Sequence, residues 1–266
     1  MKTLIQIFII MFIGVSSYAQ TYMEIRKTDS SLISIPISEI DSIYYDTIST
    51  FTCGDQISDI DGNTYGTVQI GNQCWITENL RVTHYPNGDS IPNITDNAQW
   101  GSLHDNNSDD AFCIYDNDTN NVFYGALYTW ASAMGDNAVS SNTYPSNVQG
   151  VCPDGWHMPS DTEWVALINY LGGDTIAGGK MKSTGVTYWT NPNTGATNSS
   201  GFSSLPNGYR KYDGSFNFLG TNVFWWSATE STSGHASSYN NSYSNDNVTT
   251  YSSSKSDGLS VRCVKD

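Results

Sequence analysis

The sequence predicts an α+β fold with two helices and several short, mostly antiparallel strands. Two segments carry apolar residues at helical spacing, and one of them begins with a helix-capping pattern. Several short segments have strand-like patterns and are separated by turns rich in Gly, Asn and Asp. Two helices among many short strands leave little place for a parallel sheet, and the long polar segments between them predict a loop-rich domain.

Residues 1–19 are predicted to be a secretory signal peptide. Lys2 is their only charged residue, and residues 4–15 are mostly apolar. Ser17 and Ala19 place small side chains three residues and one residue before a cut at Gln20. An uncleaved N-terminal anchor is the alternative, although the apolar run is short for a membrane span. Because no second apolar run is long enough to cross a bilayer, we expect a protein that is secreted or held at the outer cell surface, with no membrane span after export.

Residues 20–51 are predicted to form a short β-rich leader before a main domain that covers residues 52–266. Ile33, Ile35 and Ile37 alternate with polar residues, which is the periodicity of a strand with one buried face. The leader has too few apolar residues for a core of its own. It is therefore either an appendage docked on the main domain or a flexible segment.

The main domain is expected to open with a β-hairpin. Residues 57–60 and 64–70 are strand-like and flank the turn sequence Asp61-Gly62-Asn63, in which Gly readily accepts a positive φ. Cys53 and Cys74 lie on either side of this hairpin. We therefore expect a disulfide bond between these two cysteines.

The first helix is predicted over residues 124–134. Residues 83–121 before it are polar and rich in turn signals, so they are expected to form loops. The apolar residues of the helix recur at helical spacing and would share one face. They are Tyr124, Leu127, Tyr128, Ala131 and Met134.

The second helix is predicted to begin after Ser160. Ser160 is the expected N-cap, and Glu163 stands three residues later to complete a capping box. Apolar residues then recur at helical spacing until Gly172-Gly173 ends the helix, because Gly takes the left-handed C-terminal conformation cheaply. The chain after residue 177 is expected to form loops and short strands, with a core strand at residues 223–228 and a last strand at 261–264.

A series of short motifs in a fixed order runs through residues 52–266. They include DIDGNTY at 59–65, IGNQCW at 70–75, YGALYTW at 124–130, GWHMP at 155–159, GFSSLPNGYR at 201–210, WWS at 225–227 and SVRC at 260–263. In this order they resemble the Fibrobacter succinogenes major paralogous domain family of exported bacterial proteins. The leader resembles segments that precede such domains in secreted Bacteroidetes proteins. The resemblance implies no activity, since none is established for the family.

The arrangement is also similar to the C-type lectin-like fold shared with formylglycine-generating sulfatase modifiers. In that fold a proline-containing segment leads into a helix with Glu and Trp, and a cysteine-containing strand closes the domain. Residues 158–164 and 260–263 occupy these places here. The resemblance therefore implies a disulfide-stapled, C-type lectin-like domain.

Cys152 and Cys263 have two interpretations. They could be a catalytic or metal-binding pair, as in copper-dependent formylglycine formation, or a disulfide that ties the loop before the second helix to the last strand. An exported chain favours the disulfide. Cys113 is then the odd cysteine of five, and its apolar neighbours predict a buried inert thiol, with an intermolecular disulfide as the alternative.

The net charge of −15 argues against nucleic acid or anionic lipid as a partner. Asp116, Asp118 and Asn120 have the D-x-D-x-N spacing that opens a calcium loop, but the Gly and the final Glu of an EF-hand are missing. We expect no cofactor, and an oxygen-only calcium site at these three residues is the alternative.

Aromatic residues in the polar loops are the candidate ligand contacts, because such rings can stack on sugars or protein surfaces. Scattered surface aromatics without a role are the alternative interpretation. The tryptophans in the motif-dense segments are instead expected in the core; they are Trp156, Trp164, Trp225 and Trp226. The candidate ligand contacts are Trp189, Tyr209, Tyr212, Tyr239, Tyr243 and Tyr251.

The expected function is that of a non-catalytic, exported binding module for a glycan or a surface protein. Loops between residues 187 and 251 would form its recognition face, since loops on a rigid scaffold carry variable function. The sequence has no Gly-x-Ser-x-Gly, phosphate-loop or His-Glu-x-x-His motif. The alternatives are an enzyme related to the sulfatase modifiers and a structural component of an envelope or extracellular assembly.

Overall fold

The computed structural model describes residues 22–26, 32–39, 51–135 and 139–266. It divides the chain into two units, the first ending at Thr50 and the second running from Phe51 to Asp266. The predicted signal peptide lies outside the described residues. Within them, no helix has the length and apolarity needed to cross a membrane.

The first unit contains a two-stranded antiparallel sheet. Strand β1 (Tyr22–Arg26) pairs with β2 (Leu32–Pro36), with Glu24 opposite Ser34. A 3-10 turn at Ile37–Glu39 follows β2. The strand predicted from the alternating isoleucines is therefore present, and it ends at Pro36, one residue before Ile37.

The second unit is a mixed α/β domain in which sheets predominate. Its strands are β3 (Ile57–Ser58), β4 (Thr64–Tyr65), β5 (Thr67–Ile70), β6 (Gln73–Ile76), β7 (Phe112–Cys113), β8 (Leu127–Tyr128), β9 (Trp156–His157), β10 (Asn207–Arg210), β11 (Phe216–Leu219), β12 (Asn222–Thr232), β13 (His235–Ser242), β14 (Val248–Ser254) and β15 (Val264–Lys265). Its α-helices are α1 (Asn97–Trp100), α2 (Trp130–Met134), α3 (Asp161–Tyr170) and α4 (Asp174–Met181). Two 3-10 turns, at Tyr115–Asn117 and Thr119–Tyr124, precede β8.

Two sheets carry most of the second unit. The larger has five strands in the order β11-β10-β12-β13-β14, and all its pairings are antiparallel except the single parallel bridge between β10 and β12. The smaller has the order β5-β6-β15-β9. Strand β15 therefore lies between β6 and β9, so the last strand of the domain occupies the interior of this sheet.

Both predicted disulfide bonds are confirmed. Cys53 is bonded to Cys74 and Cys152 to Cys263, each with a Cα–Cα distance of 5.9 Å. The predicted hairpin is present as β3 and β4, with Ile57 opposite Tyr65. Because Cys152 and Cys263 are bonded to each other and buried, the pair offers no free thiol for catalysis of the sulfatase-modifier type.

Helix α3 begins as the capping pattern predicts. The Ser160 hydroxyl accepts a hydrogen bond from the Glu163 backbone N–H, and the Glu163 carboxylate accepts one from the Ser160 N–H at 3.0 Å. These reciprocal bonds satisfy two of the donors that a helix start leaves free. Trp164 and Leu167 then face the core, and each is fully buried.

The prediction of one helix over residues 124–134 is wrong in its first half. Gly125 has a φ of 99° and ends a 3-10 turn, so a helix cannot continue through it. A Cβ there would lie 2.4 Å from the Asn79 Cβ, which explains why Gly is needed. Residues 127–128 then pair with β7, and only Trp130–Met134 is helical.

The prediction of two helices is also wrong, because α1 and α4 were missed. Helix α4 contains Gly178 and Gly179, which disfavour a helix in isolation. In the folded chain the Asn247 carbonyl oxygen would lie 2.2 Å from a Cβ at Gly178. These glycines therefore let α4 pack directly on the backbone before β14.

An aromatic cluster fills the core between α3 and the larger sheet. The Trp164 ring lies 4.9 Å from Tyr239, 4.9 Å from Trp75 and 5.8 Å from Trp225. Phe202 packs edge-on against Trp225 at 5.5 Å. The tryptophans predicted to be buried, Trp156, Trp164, Trp225 and Trp226, are all in the core.

Buried cations hold the loops of the second unit. Lys182 is fully buried, and its ammonium donates to the carbonyl oxygens of Thr194, Ser242 and Asn245 at 2.6–2.7 Å. Burial lowers the pKa of this lysine to about 8. Arg262 is also fully buried and donates to several backbone carbonyls, including that of Ile76 at 3.0 Å. Lys182 and Arg262 thus donate to backbone oxygens that would otherwise be buried without a partner. Long loops can therefore pack against the core.

Candidate ligand-binding surface

Four aromatic rings form a stripe across one face of the larger sheet. Tyr209 of β10 lies 5.9 Å from Phe218 of β11 and 5.2 Å from Phe224 of β12. The Phe224 ring in turn lies 5.8 Å from Tyr251 of β14. We call these four residues the aromatic stripe. It crosses the sheet perpendicular to its strands, so an elongated ligand could contact several rings at once.

The stripe has an anchored centre and exposed ends. Tyr209 and Phe224 are half-buried and pack against the core. Phe218 and Tyr251 are 52% and 48% exposed, although both are large aromatic residues. Cross-strand aromatic pairs can stabilise a sheet without binding anything. That role accounts for the two central rings, but it leaves the exposure of the outer two unexplained.

Phe218 is held in an unfavourable backbone conformation. Its φ is 68°, in the left-handed region that residues other than Gly rarely adopt. The register places Tyr209 opposite Asn217, so a regular strand would turn Phe218 to the other face of the sheet. Its ring nevertheless packs on Tyr209. The positive φ is therefore the local departure from regular strand geometry that accompanies the position of the Phe218 ring on the stripe.

Small polar side chains lie between the rings. Strand β13 separates Phe224 from Tyr251 and carries Asn240 opposite Phe224 and Ser238 opposite Tyr251. The Ser238 hydroxyl lies 2.7 Å from the Ser253 hydroxyl on β14. Asn240 and Ser238 are 3% and 0% exposed, so of these three polar residues only the half-buried Ser253 reaches the surface between the rings. None of the three is charged.

A polar turn adjoins the stripe after β10. Tyr212 is exposed, its backbone N–H donates to the Asp257 carboxylate at 2.8 Å, and the Lys211 ammonium lies 4.7 Å from its ring. Burial, with a smaller contribution from the Asp105 charge, raises the pKa of Asp257 to about 7, and the hydrogen bond from the Tyr212 N–H offsets this only in part. Burial, with a smaller contribution from Asp257, also raises the pKa of Tyr209.

The family of the chain is shown by comparison with known families. A family model described as Fibrobacter succinogenes major domain matches residues 68–265. The chain belongs to this family. The matched range contains the whole aromatic stripe and both cysteines of the longer disulfide. Comparisons with curated proteins and with solved structures found no match.

Within this Fibrobacter succinogenes major domain, three of the six predicted ligand contacts lie at or beside the stripe. Tyr209 and Tyr251 belong to it, and Tyr212 lies in the turn that adjoins it. The prediction missed Phe218 and Phe224, which lie in a segment dense in aromatic residues. Such density is typical of a core strand, and only the exposure in the fold separates Phe218 from its buried neighbours.

The other three predicted contacts serve the core. Trp189 is 1% exposed and its indole N–H donates to the Ser204 carbonyl oxygen at 3.0 Å, so the expectation that its ring is exposed in a loop is wrong. Tyr239 is 2% exposed because it lies on the face of β13 that stacks on Trp164. Tyr243 is half-buried and packs against the same core cluster.

The calcium candidates lie in a short exposed segment. The Asp118 carboxylate caps the following 3-10 turn, where one oxygen accepts hydrogen bonds from the Asn120 backbone N–H at 2.9 Å and from its side-chain amide at 2.8 Å. Asp116 precedes it with a φ of 55°. The described residues contain no cluster of three or more His, Cys, Asp or Glu side chains placed to hold a metal ion.

His157 is a buried titratable residue with two carboxylate partners. Its Nε2 lies 2.8 Å from Glu163 and its Nδ1 lies 2.8 Å from Asp266. Burial lowers the pKa of this histidine, but the two carboxylates more than offset that effect and raise it overall. Since Glu163 also caps α3, the two contacts of His157 connect the start of this helix to Asp266.

Cys113 is unpaired and buried, as predicted. Burial raises the pKa of its thiol to about 12, which leaves the thiolate scarce at neutral pH. A thiol of this kind reacts slowly. The alternative of an intermolecular disulfide would require the segment around β7 to open.

Proposed function

We propose that this chain is an exported, non-catalytic binding module that takes a glycan on the aromatic stripe. The observation that carries the proposal is the pair of half-exposed rings, Phe218 and Tyr251, at the ends of a row that spans the sheet. A sugar ring presents an apolar face of C–H groups and a rim of hydroxyls. Exposed aromatic rings are complementary to the C–H face, and the half-buried Ser253 hydroxyl of β14 can hydrogen-bond the rim.

The proposal includes a C-type lectin-like fold. In support, a strand carrying Trp156 leads directly into the capped helix α3, and the last strand β15 pairs beside it. The Cys152–Cys263 bond joins the same two regions. A fold of this kind offers a rigid scaffold on which one face can vary between relatives.

Export is supported by the N-terminal sequence and by the two disulfide bonds. Disulfides form and persist in oxidising compartments and are rare in the cytosol. An outer-surface or secreted module would meet glycans of other cells or of the surrounding medium. The strongly negative net charge suits such a partner better than it suits a polyanion.

A glycan array probed with the purified protein tests the proposal. Phe218→Ala and Tyr251→Ala should each weaken binding of the best glycan by about tenfold, as expected when an aromatic contact that dominates an interface is truncated. Tyr170→Ala is the matched control, because Tyr170 is 67% exposed on α3, away from the larger sheet's aromatic face. Equal loss in all three variants, or no glycan bound, would contradict the proposal.

A further inference from the structure

Strand β14 forms an open edge of the larger sheet. It pairs with β13 over seven residues without a register shift, from Val248 opposite Asn241 to Ser254 opposite His235. No strand among the described residues pairs with its other side. The backbone N–H and C=O groups on that side are therefore available to a further strand.

The two edges of this sheet differ. Edge strands are commonly protected by charged residues, proline, bulges or short length. Strand β11 at one edge has four residues and contains the irregular Phe218. Strand β14 at the other has seven residues, is exposed over much of its length, and contains neither a charged residue nor a proline. Only β14 therefore presents a long edge without such protection.

A groove runs beside the open edge, on the face opposite the aromatic stripe. It has a volume of about 630 Å³ and is lined on one side by Val165 and Ile168 of α3 and on the other by Val248 and Thr250 of β14. Tyr239, which lies opposite Thr250 on β13, also lines it. Val165 is 47% exposed, so this wall presents apolar surface to solvent.

We propose that β14 and this groove bind an extended peptide segment of another protein by strand addition. The peptide backbone would pair with the open edge, and alternate side chains would enter the groove, because successive side chains of a strand point to opposite faces. Asp174 is the charged residue among those that line the groove. A peptide with an apolar residue next to a basic residue would therefore complement both the apolar wall of the groove and the charge of Asp174.

A second copy of this chain fits the edge less well than a basic peptide does. The chain carries a net charge of −15, so two copies repel each other. Pairing of two β14 strands would also leave the groove without a basic side chain opposite Asp174. Self-association is therefore an outcome that the experiment must distinguish.

Selection of a phage-displayed dodecapeptide library on the immobilised protein tests the inference. Peptides with an apolar residue next to Lys or Arg should be enriched, and a synthetic peptide of the enriched sequence should slow hydrogen exchange of the β14 amides. Val165→Lys should weaken the binding of that peptide at least tenfold. Val186→Lys should change its affinity less than twofold, because Val186 is 59% exposed and does not line the groove.

Three results would overturn the inference. They are the absence of an enriched peptide, binding that leaves the β14 amides unprotected, and a dimer in light scattering whose β14 amides are protected without any peptide. Phe218→Ala should leave peptide binding unchanged, because Phe218 lies on β11, at the opposite edge of the sheet. The outcome is thus independent of whether the aromatic stripe binds a glycan.

Discussion

Phe216 and Phe218 lie two residues apart on β11, yet their rings contact opposite faces of the sheet. Phe216 packs 5.1 Å from Tyr115 and 4.7 Å from the buried Arg210 guanidinium, on the inner side. Phe218 packs on Tyr209, on the outer side. Residues at this spacing share a face in a regular strand. The positive φ of Phe218 is what separates them, and it connects backbone strain to the aromatic stripe.

Replacing Phe218 should separate the contribution of its ring from that of its backbone. Phe218→Ala loses the ring and keeps the unfavourable φ, whereas Phe218→Gly loses the ring and removes the strain. Since a left-handed conformation costs an L-residue about 1–2 kcal/mol, Phe218→Gly should be more stable than Phe218→Ala by about 1 kcal/mol. Urea unfolding of both variants measures the difference. Greater stability of the alanine variant would show that the positive φ is not strained.

The two disulfides should differ in what their removal costs. The Cys152–Cys263 bond closes a loop of 111 residues and the Cys53–Cys74 bond one of 21. In the chain-entropy model their loss lowers the free energy of unfolding by about 5 and about 3 kcal/mol respectively. Denaturant unfolding of the two double-serine variants tests the order. A larger loss from the shorter loop would show that local packing, rather than loop entropy, sets the contribution of these bonds.

Lys182 should be among the residues least tolerant of substitution. Lys182→Met removes an ammonium that serves three carbonyl oxygens and leaves them buried without a donor. We expect a loss of about 3 kcal/mol or more in the free energy of unfolding. Hydrogen exchange should accelerate at residues 194–197 and 242–247. Lys211→Met is the control, since Lys211 reaches solvent, and it should leave unfolding unchanged. A tolerated Lys182→Met would contradict the role of this lysine as a tie between loops.

Asp257 should make stability depend on pH between about 4 and 7. Its pKa is raised from 3.8 to about 7 in the folded protein, mainly by burial, so over this range the folded state holds a proton that the unfolded state has lost. The free energy of unfolding therefore falls as the pH rises through this window. Asp257→Asn keeps an oxygen to accept from the Tyr212 N–H and removes the titration.

The measurement is the stability difference between wild type and Asp257→Asn as a function of pH. It should fall from about pH 4 to pH 7 and be level outside that range. Other carboxylates act equally in both proteins and cancel from the difference. A difference that does not change with pH would mean that Asp257 titrates normally.

Local signals in the sequence predicted well what neighbouring residues determine by themselves. The capping box of Ser160 and Glu163 is complete within four residues, and the start of α3 was predicted from it. The disulfide pairs follow from export together with the position of the hairpin and the last strand. The strand at residues 223–228 was also present, although β12 extends beyond it at both ends.

The features that were missed depend on contacts between distant segments. Gly178 and Gly179 oppose a helix locally, and only the approach of Asn247 explains why α4 contains them. Trp189 lies in a polar segment, and its burial depends on the Ser204 carbonyl oxygen that receives its N–H. Phe218 could not be assigned to the outer face, since strand alternation places it on the inner one.

The most direct test of the proposed function is the affinity of the best array glycan for wild type, Tyr251→Ala and Tyr170→Ala, measured by calorimetry. We expect a loss of about tenfold for Tyr251→Ala and an unchanged affinity for Tyr170→Ala. An unchanged affinity for Tyr251→Ala, with its fold intact by circular dichroism, would contradict the assignment of the aromatic stripe as the binding surface.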